Sequence, residues 1–230
     1  MTRTVLLAKA LAAFVAGCAD ASAVGAHRTS TPSGSAAPLP SELTCDGDVR
    51  VPSVANVALS PRNPPSAGQM SDGFARAKRL YDAEKWEPAF VAMRSVIDGA
   101  TGDDEANRQI AEFYAAKALY QLHRHAESYA ALHAIARRRD HVKHRDVLLW
   151  LARLAMRFPE LVSLGDFAFY DRDDVEHFAN PEQRDVWGAL TYFLARERLA
   201  AGRASEARAL FARVPEDHPY AAYAQRCLRG

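Results

Sequence analysis

Phe74-Ala-Arg-Ala-Lys-Arg-Leu-Tyr81 and Phe113-Tyr-Ala-Ala-Lys-Ala-Leu-Tyr120 are two copies of one phrase, with Phe, Ala, Lys, Leu and Tyr at matching offsets. The copies lie 39 residues apart. Each is followed by a second apolar phrase, Trp86-Glu-Pro-Ala-Phe-Val-Ala-Met93 in one and His125-Ala-Glu-Ser-Tyr-Ala-Ala-Leu132 in the other. A fixed period of this size with two helices per period marks an α-solenoid, whose hairpins bury their apolar faces only by stacking on one another. The expected fold class is therefore all-α.

Working outward, the small and bulky positions resemble tetratricopeptide (TPR) repeats. In the first unit the family roles fall to Ala77, Leu80, Trp86, Ala89, Met93 and Val96, and in the second to Ala116, Leu119, His125, Ser128, Leu132 and Ile135. A last unit carries Leu194, Ala195, Gly202, Ala207, Phe211 and Pro219 at matching places. Two residues depart from the pattern. Ser128 replaces the Ala of the second helix, which a hydroxyl-to-backbone bond would absorb. Arg198 stands where the family prefers an aromatic or Leu. The resemblance implies a superhelical solenoid over 68–230. Its repeats fall near 70–100, 109–139 and 187–219, with a degenerate one over 146–180 and a capping helix over 220–229. Within the degenerate unit, Val147 to Met156 reads as an amphipathic helix, and Asp171 to Phe178 as a short helix with acidic residues at its start.

By the geometry of that family, Phe74, Lys78 and Tyr81 face a groove in the first unit, and Phe113, Lys117 and Tyr120 in the second. Tyr192 and Arg196 take the aligned places in the last unit, followed there by Leu199. The implied ligand is a peptide stacked on aromatics, its carboxylates read by Lys78, Lys117 and Arg196. Against this stands ordinary packing, because apolar residues at helical spacing are usually core. Packing is the favoured reading for the aromatics, whereas both readings stand open for the cations.

The N-terminus reads differently. Residues 1–17 place Arg3 before an apolar run from Val5 to Val15, the layout of a secretory signal. Val15-Ala16-Gly17-Cys18 resembles a bacterial lipobox, which implies cleavage before Cys18, its lipidation and an outer-membrane anchor facing the periplasm. An ordinary signal cut near Ala21-Ser22-Ala23 is the alternative. Loss of Arg3 and Lys9 would take the formal net charge from +1 to −1. Residues 18–67, rich in Ser, Pro and Ala, form an expected disordered tether, with Val51 to Leu59 lying against the domain. In an oxidising compartment, Cys45 and Cys227 are candidates for a disulfide, with two separate thiols as the alternative.

Composition narrows the function. Lys+Arg number 29 and Asp+Glu 28, a balance that gives no field for nucleic acid. The histidines His123, His125, His133, His141 and His144 lack a completing set of ligands, so no metal or other cofactor is expected. The run Arg137 to Arg145 is the most basic stretch, and a touch on anionic lipid or cell-wall polymer is weighed against a plain connector. Asp171 to Asp174 lacks the spacing of a calcium loop. No nucleophile elbow, phosphate loop or His-Glu-x-x-His motif occurs. The expectation is a noncatalytic, membrane-anchored protein-interaction scaffold in the bacterial cell envelope that holds acidic segments of partner proteins. The alternative is a factor that binds peptidoglycan or regulates a wall enzyme.

Overall fold

The computed structural model describes residues 59–229, and these are helical with intervening turns and no strand. Nine α-helices follow in order: α1 Asp72–Asp82, α2 Trp86–Ile97, α3 Glu105–Gln121, α4 His125–Ala136, α5 His144–Arg157, α6 Arg172–Glu176, α7 Arg184–Ala200, α8 Ala204–Phe211 and α9 Ala221–Arg229. The first five pack in succession, each on the next, and α1 also touches α3. Then α5 packs on α7, α7 on α8 and α8 on α9.

Three pairs, α1 with α2, α3 with α4 and α7 with α8, are joined by the same turn. The residue after each C-cap takes a left-handed backbone: Glu84 at φ 58°, His123 at φ 59° and Gly202 at φ 76°. In each, the next N–H reaches back five residues, Lys85 to the Leu80 carbonyl at 2.9 Å, Arg124 to Leu119 at 3.0 Å and Arg203 to Arg198 at 2.8 Å. The bond occupies a carbonyl that the helix end would otherwise leave unpaired. Leu80, Leu119 and Arg198 thus hold equivalent places, and Arg198 departs in side chain without changing the turn.

Entry to α1 and α3 is capped by side chains. Ser71 Oγ accepts from the Phe74 N–H at 3.1 Å, and Asp104 from the Asn107 N–H at 2.8 Å. Asp103 ties the two starts together by accepting from the Ser71 N–H and Oγ–H at 2.9 and 2.6 Å. Within the hairpins, small residues face one another, so the backbones approach closely. Ala77 and Ala89 are fully buried, as are Ala195 and Ala207. In the middle pair Ser128 donates to the Ala116 carbonyl at 2.8 Å, so the one polar member is satisfied across the interface.

The segment between α5 and α7 is irregular. A 3-10 turn over Leu164–Phe169 and the short α6 lie here, and Phe167, Tyr170, Val175 and Phe178 of this segment enter the main core. Asp171 caps α6, and Asp174 returns the bond to the Asp171 N–H at 3.1 Å. At the far end α9 buries Ala224 and Cys227. Cys227 is disulfide-bonded. Cys18, Cys45 and residues 51–58 lie outside the described residues.

Candidate functional site

Lys117 sits in the middle of α3, one turn after Tyr114, on the face that α1 and α5 flank. Its Nζ is 4.9 Å from the Tyr114 ring centre, 5.0 Å from Tyr81, 5.4 Å from Phe113 and 5.4 Å from Trp150. Tyr81 closes α1 and meets Tyr114 edge-on at 4.9 Å and Trp86 at 5.1 Å. On the other side Trp150 of α5 meets Tyr120 at 5.3 Å, Tyr120 meets His125 at 5.1 Å, and His125 stacks on Phe158 at 4.0 Å. The rings form a wall along successive helices with a lysine amino group at its centre.

The charges around that amino group are mostly of its own sign. Lys78 lies over Tyr114 at 5.0 Å but is held by Asp82 at 2.6 Å. That bond raises the Lys78 pKa above its usual value. Lys143 is paired to Asp146 at 2.9 Å, and Arg153 covers Trp150 at 5.2 Å. Among the described residues, Lys117 has no hydrogen-bond or ion-pair partner. Burial, then the proximity of Lys78 and Arg153, lower its pKa below that of an ordinary lysine. Aromatic faces attract the cation but do not replace the water it has lost. A carboxylate placed on Lys117 would supply the missing counter-charge in a partly desolvated setting. The burial that shields Lys117 also pushes the Tyr81 phenol up to about 12, so it stays protonated at neutral pH.

The other expected groove residues divide. Phe74 and Tyr192 are fully buried and Phe113 nearly so; these rings are core, consistent with packing rather than open stacking platforms. Arg196 is buried as well, its guanidinium 4.0 Å from Cys227 Sγ. Desolvation lowers its pKa. Tyr81, Lys78, Lys117 and Tyr120 do converge on one face. The family pattern overlooked Tyr114 and Trp150, two of the four rings around Lys117. The i, i+3 spacing of Tyr114 and Lys117 is a signal that points to the first; Trp150 reaches the site only through the packing of α5.

The basic run and the acidic cluster turn out to be partners. Arg62, Arg139 and Arg145 converge on the fully buried carboxylate of Asp174, with Arg145 at 3.2 Å and Arg139 at 3.9 Å. Arg139 also binds Asp171 at 2.9 Å and donates to the carbonyls of Phe169 and Ser60. Arg138 pairs with Glu112. Residues 60–62, at the end of the expected tether, are thereby pinned to α6 and to the connector before α5. The histidines have structural surroundings: His133 Nδ1 lies 2.6 Å from Asp166, His141 Nδ1 accepts from the Lys143 N–H, and His144 stacks on Tyr170 at 4.5 Å. Among the described residues no group of three or more His, Cys, Asp or Glu side chains is placed to hold a metal ion, and no helix is long and apolar enough to cross a membrane.

No protein-family model, curated protein or solved structure matches the chain.

Proposed function

We propose that the chain is a noncatalytic interaction module, a tetratricopeptide-like solenoid whose inner face captures acidic segments of partner proteins. The solenoid reading rests on the three equivalent turns and on helices that pack in chain order. The reading of the ligand rests on one observation: Lys117 stands among four aromatic rings without a carboxylate of its own. In a folded protein an aromatic-lined, half-buried cation without a partner is costly unless something completes it. Attachment to the cell envelope through a lipidated Cys18, on the periplasmic side of an outer membrane, is the remaining part of the proposal and rests on the sequence of residues 1–18. Recognition of cell wall by the basic connector has less support, because Arg138, Arg139 and Arg145 are committed to carboxylates within the fold.

The test is peptide capture by the double variant Lys78→Glu, Lys117→Glu. A panel of Asp/Glu-rich peptides, each with an amidated Asn/Gln counterpart, is titrated against both proteins by fluorescence anisotropy. Wild type is expected to bind the acidic members in a salt-dependent way, and the double variant to lose roughly tenfold or more in affinity. Equal affinity for acidic and amidated peptides, or unchanged binding by the variant, overturns the assignment.

A further inference from the structure

Arg198 breaks the repeat pattern at a position where Leu80 and Leu119 stand in the other hairpins, and a cavity opens beside it. The cavity, of about 130 Å3, is lined by Arg172, Leu194, Arg198, Glu206, Leu210 and Arg213, with Ala209 at its edge. It lies among α6, α7 and α8, away from the Lys117 face. With the volume of a liquid water near 30 Å3, it has room for a handful of heavy atoms.

The lining is divided. Leu194 and Leu210 are buried and make an apolar floor. The Arg198 guanidinium is held rigidly by Glu197, the Tyr170 carbonyl and, at 3.3 Å, Glu206. Arg213 bonds Glu176 at 2.5 Å through one terminal nitrogen, while its Nε is buried without a hydrogen-bond partner among the described residues. Arg172 shares the same carboxylate more loosely, with its Nε 3.7 Å away. Three arginines therefore face one lining carboxylate, Glu206, whose side chain is 58 % exposed and lies 3.9 Å from Arg203 as well. Counting the neighbours Arg203, Glu176 and Glu197, the pocket keeps one positive charge in excess.

We propose that this cavity binds a small monocarboxylate with a short aliphatic stem. The carboxylate takes the Arg172 guanidinium, which Glu176 holds only at 3.7 Å, and the edge of Arg198 that Glu206 covers, and the stem lies on Leu194 and Leu210. Two arginines meeting a planar anion over an apolar floor explain the mixed lining. The site acts independently of peptide capture.

The probe is sodium butyrate, titrated into the full chain and followed through the arginine Nε–H signals by NMR, with sodium chloride and inorganic phosphate in parallel. Saturable shifts at Arg172 and Arg198 are expected with butyrate, at a dissociation constant on the order of 1 mM for so few atoms. Ala209→Leu, which extends an exposed residue over the mouth and leaves the arginines in place, should weaken binding at least tenfold. Glu206→Gln removes the competing carboxylate and should tighten it several-fold. Equal shifts with chloride and phosphate show only a nonspecific anion response and overturn the site. So does weaker binding by Glu206→Gln, or a titration with butyrate that never saturates.

Discussion

Glu84 occupies a backbone position that suits glycine, and replacing it tests how the hairpins are built. The perturbation is Glu84→Gly, with Gly202→Ala as its mirror image. Glu84 lies at φ 58°, is exposed, and serves the same turn as Gly202 at φ 76°. A left-handed conformation costs a residue with a Cβ about 1–2 kcal/mol. Glycine recovers that cost in the folded state but adds freedom to the unfolded chain, which returns about 0.4–1 kcal/mol. The difference predicts that Glu84→Gly stabilises the protein by about 0.5–1 kcal/mol, or a rise of about 2 °C in midpoint for a domain of this size. Gly202→Ala should lose a similar amount, since no atom within 4 Å obstructs the added methyl and only the backbone objects. Urea denaturation reads both, as midpoint shifts at unchanged slope. If Glu84→Gly is neutral or destabilising while Gly202→Ala costs nothing, the turns do not carry the left-handed residue and the account of the hairpins fails. More than stability depends on it: Tyr81 and Tyr120 sit just before the first two turns, so the turn sets where the aromatic wall begins.

Two further expectations concern the α5 to α6 region. His144 is buried on Tyr170 among Arg62 and Arg139, and burial followed by those two charges depresses its pKa to about 4. The unfolded chain takes up that proton near 6.5 and the folded one does not, so stability is complete above about pH 6.5 and falls as pH drops towards 4, by about 3 kcal/mol in all. His144→Phe keeps the stacking, and denaturation curves across that window should show the slope reduced; an unchanged slope removes His144 as its source. Asp174→Asn keeps an acceptor for the Asp171 N–H but leaves Arg62, Arg139 and Arg145 without their common carboxylate. Breaking a buried pair costs about 3–5 kcal/mol, and the partial exposure of the arginines places this loss near about 3 kcal/mol by calorimetry; a loss below about 1 kcal/mol would mean that solvent already screens the cluster.

Much of the fold was legible in the chain because helical hairpins are local objects. The spacing of Ala77, Ala89, Met93 and Val96, repeated in Ala116, Ser128, Leu132 and Ile135, specifies which helix faces are buried, and Gly202 marks where one helix stops. The hydroxyl bond of Ser128 followed from the same logic, although it crosses to the facing helix. Glu84 and His123 were harder to foresee as turn residues, since their side chains do not advertise a left-handed backbone.

The sequence by itself thus determined the all-helical class, the helical phrases and the junctions between them, because hydrophobic periodicity and capping act over a few residues. Tertiary structure alone decided which charges pair across long stretches of the chain. Arg145 and Asp174 find each other across 29 residues, and Arg139 and Asp171 across 32. Lys117 is left among rings because Tyr81 and Lys78 arrive from α1 and Trp150 from α5. Identical lysines in two copies of one phrase therefore have different fates. Lys78 has Asp82 four residues away on its own helix, whereas at the corresponding position Lys117 has Gln121, and only packing across helices determines its surroundings.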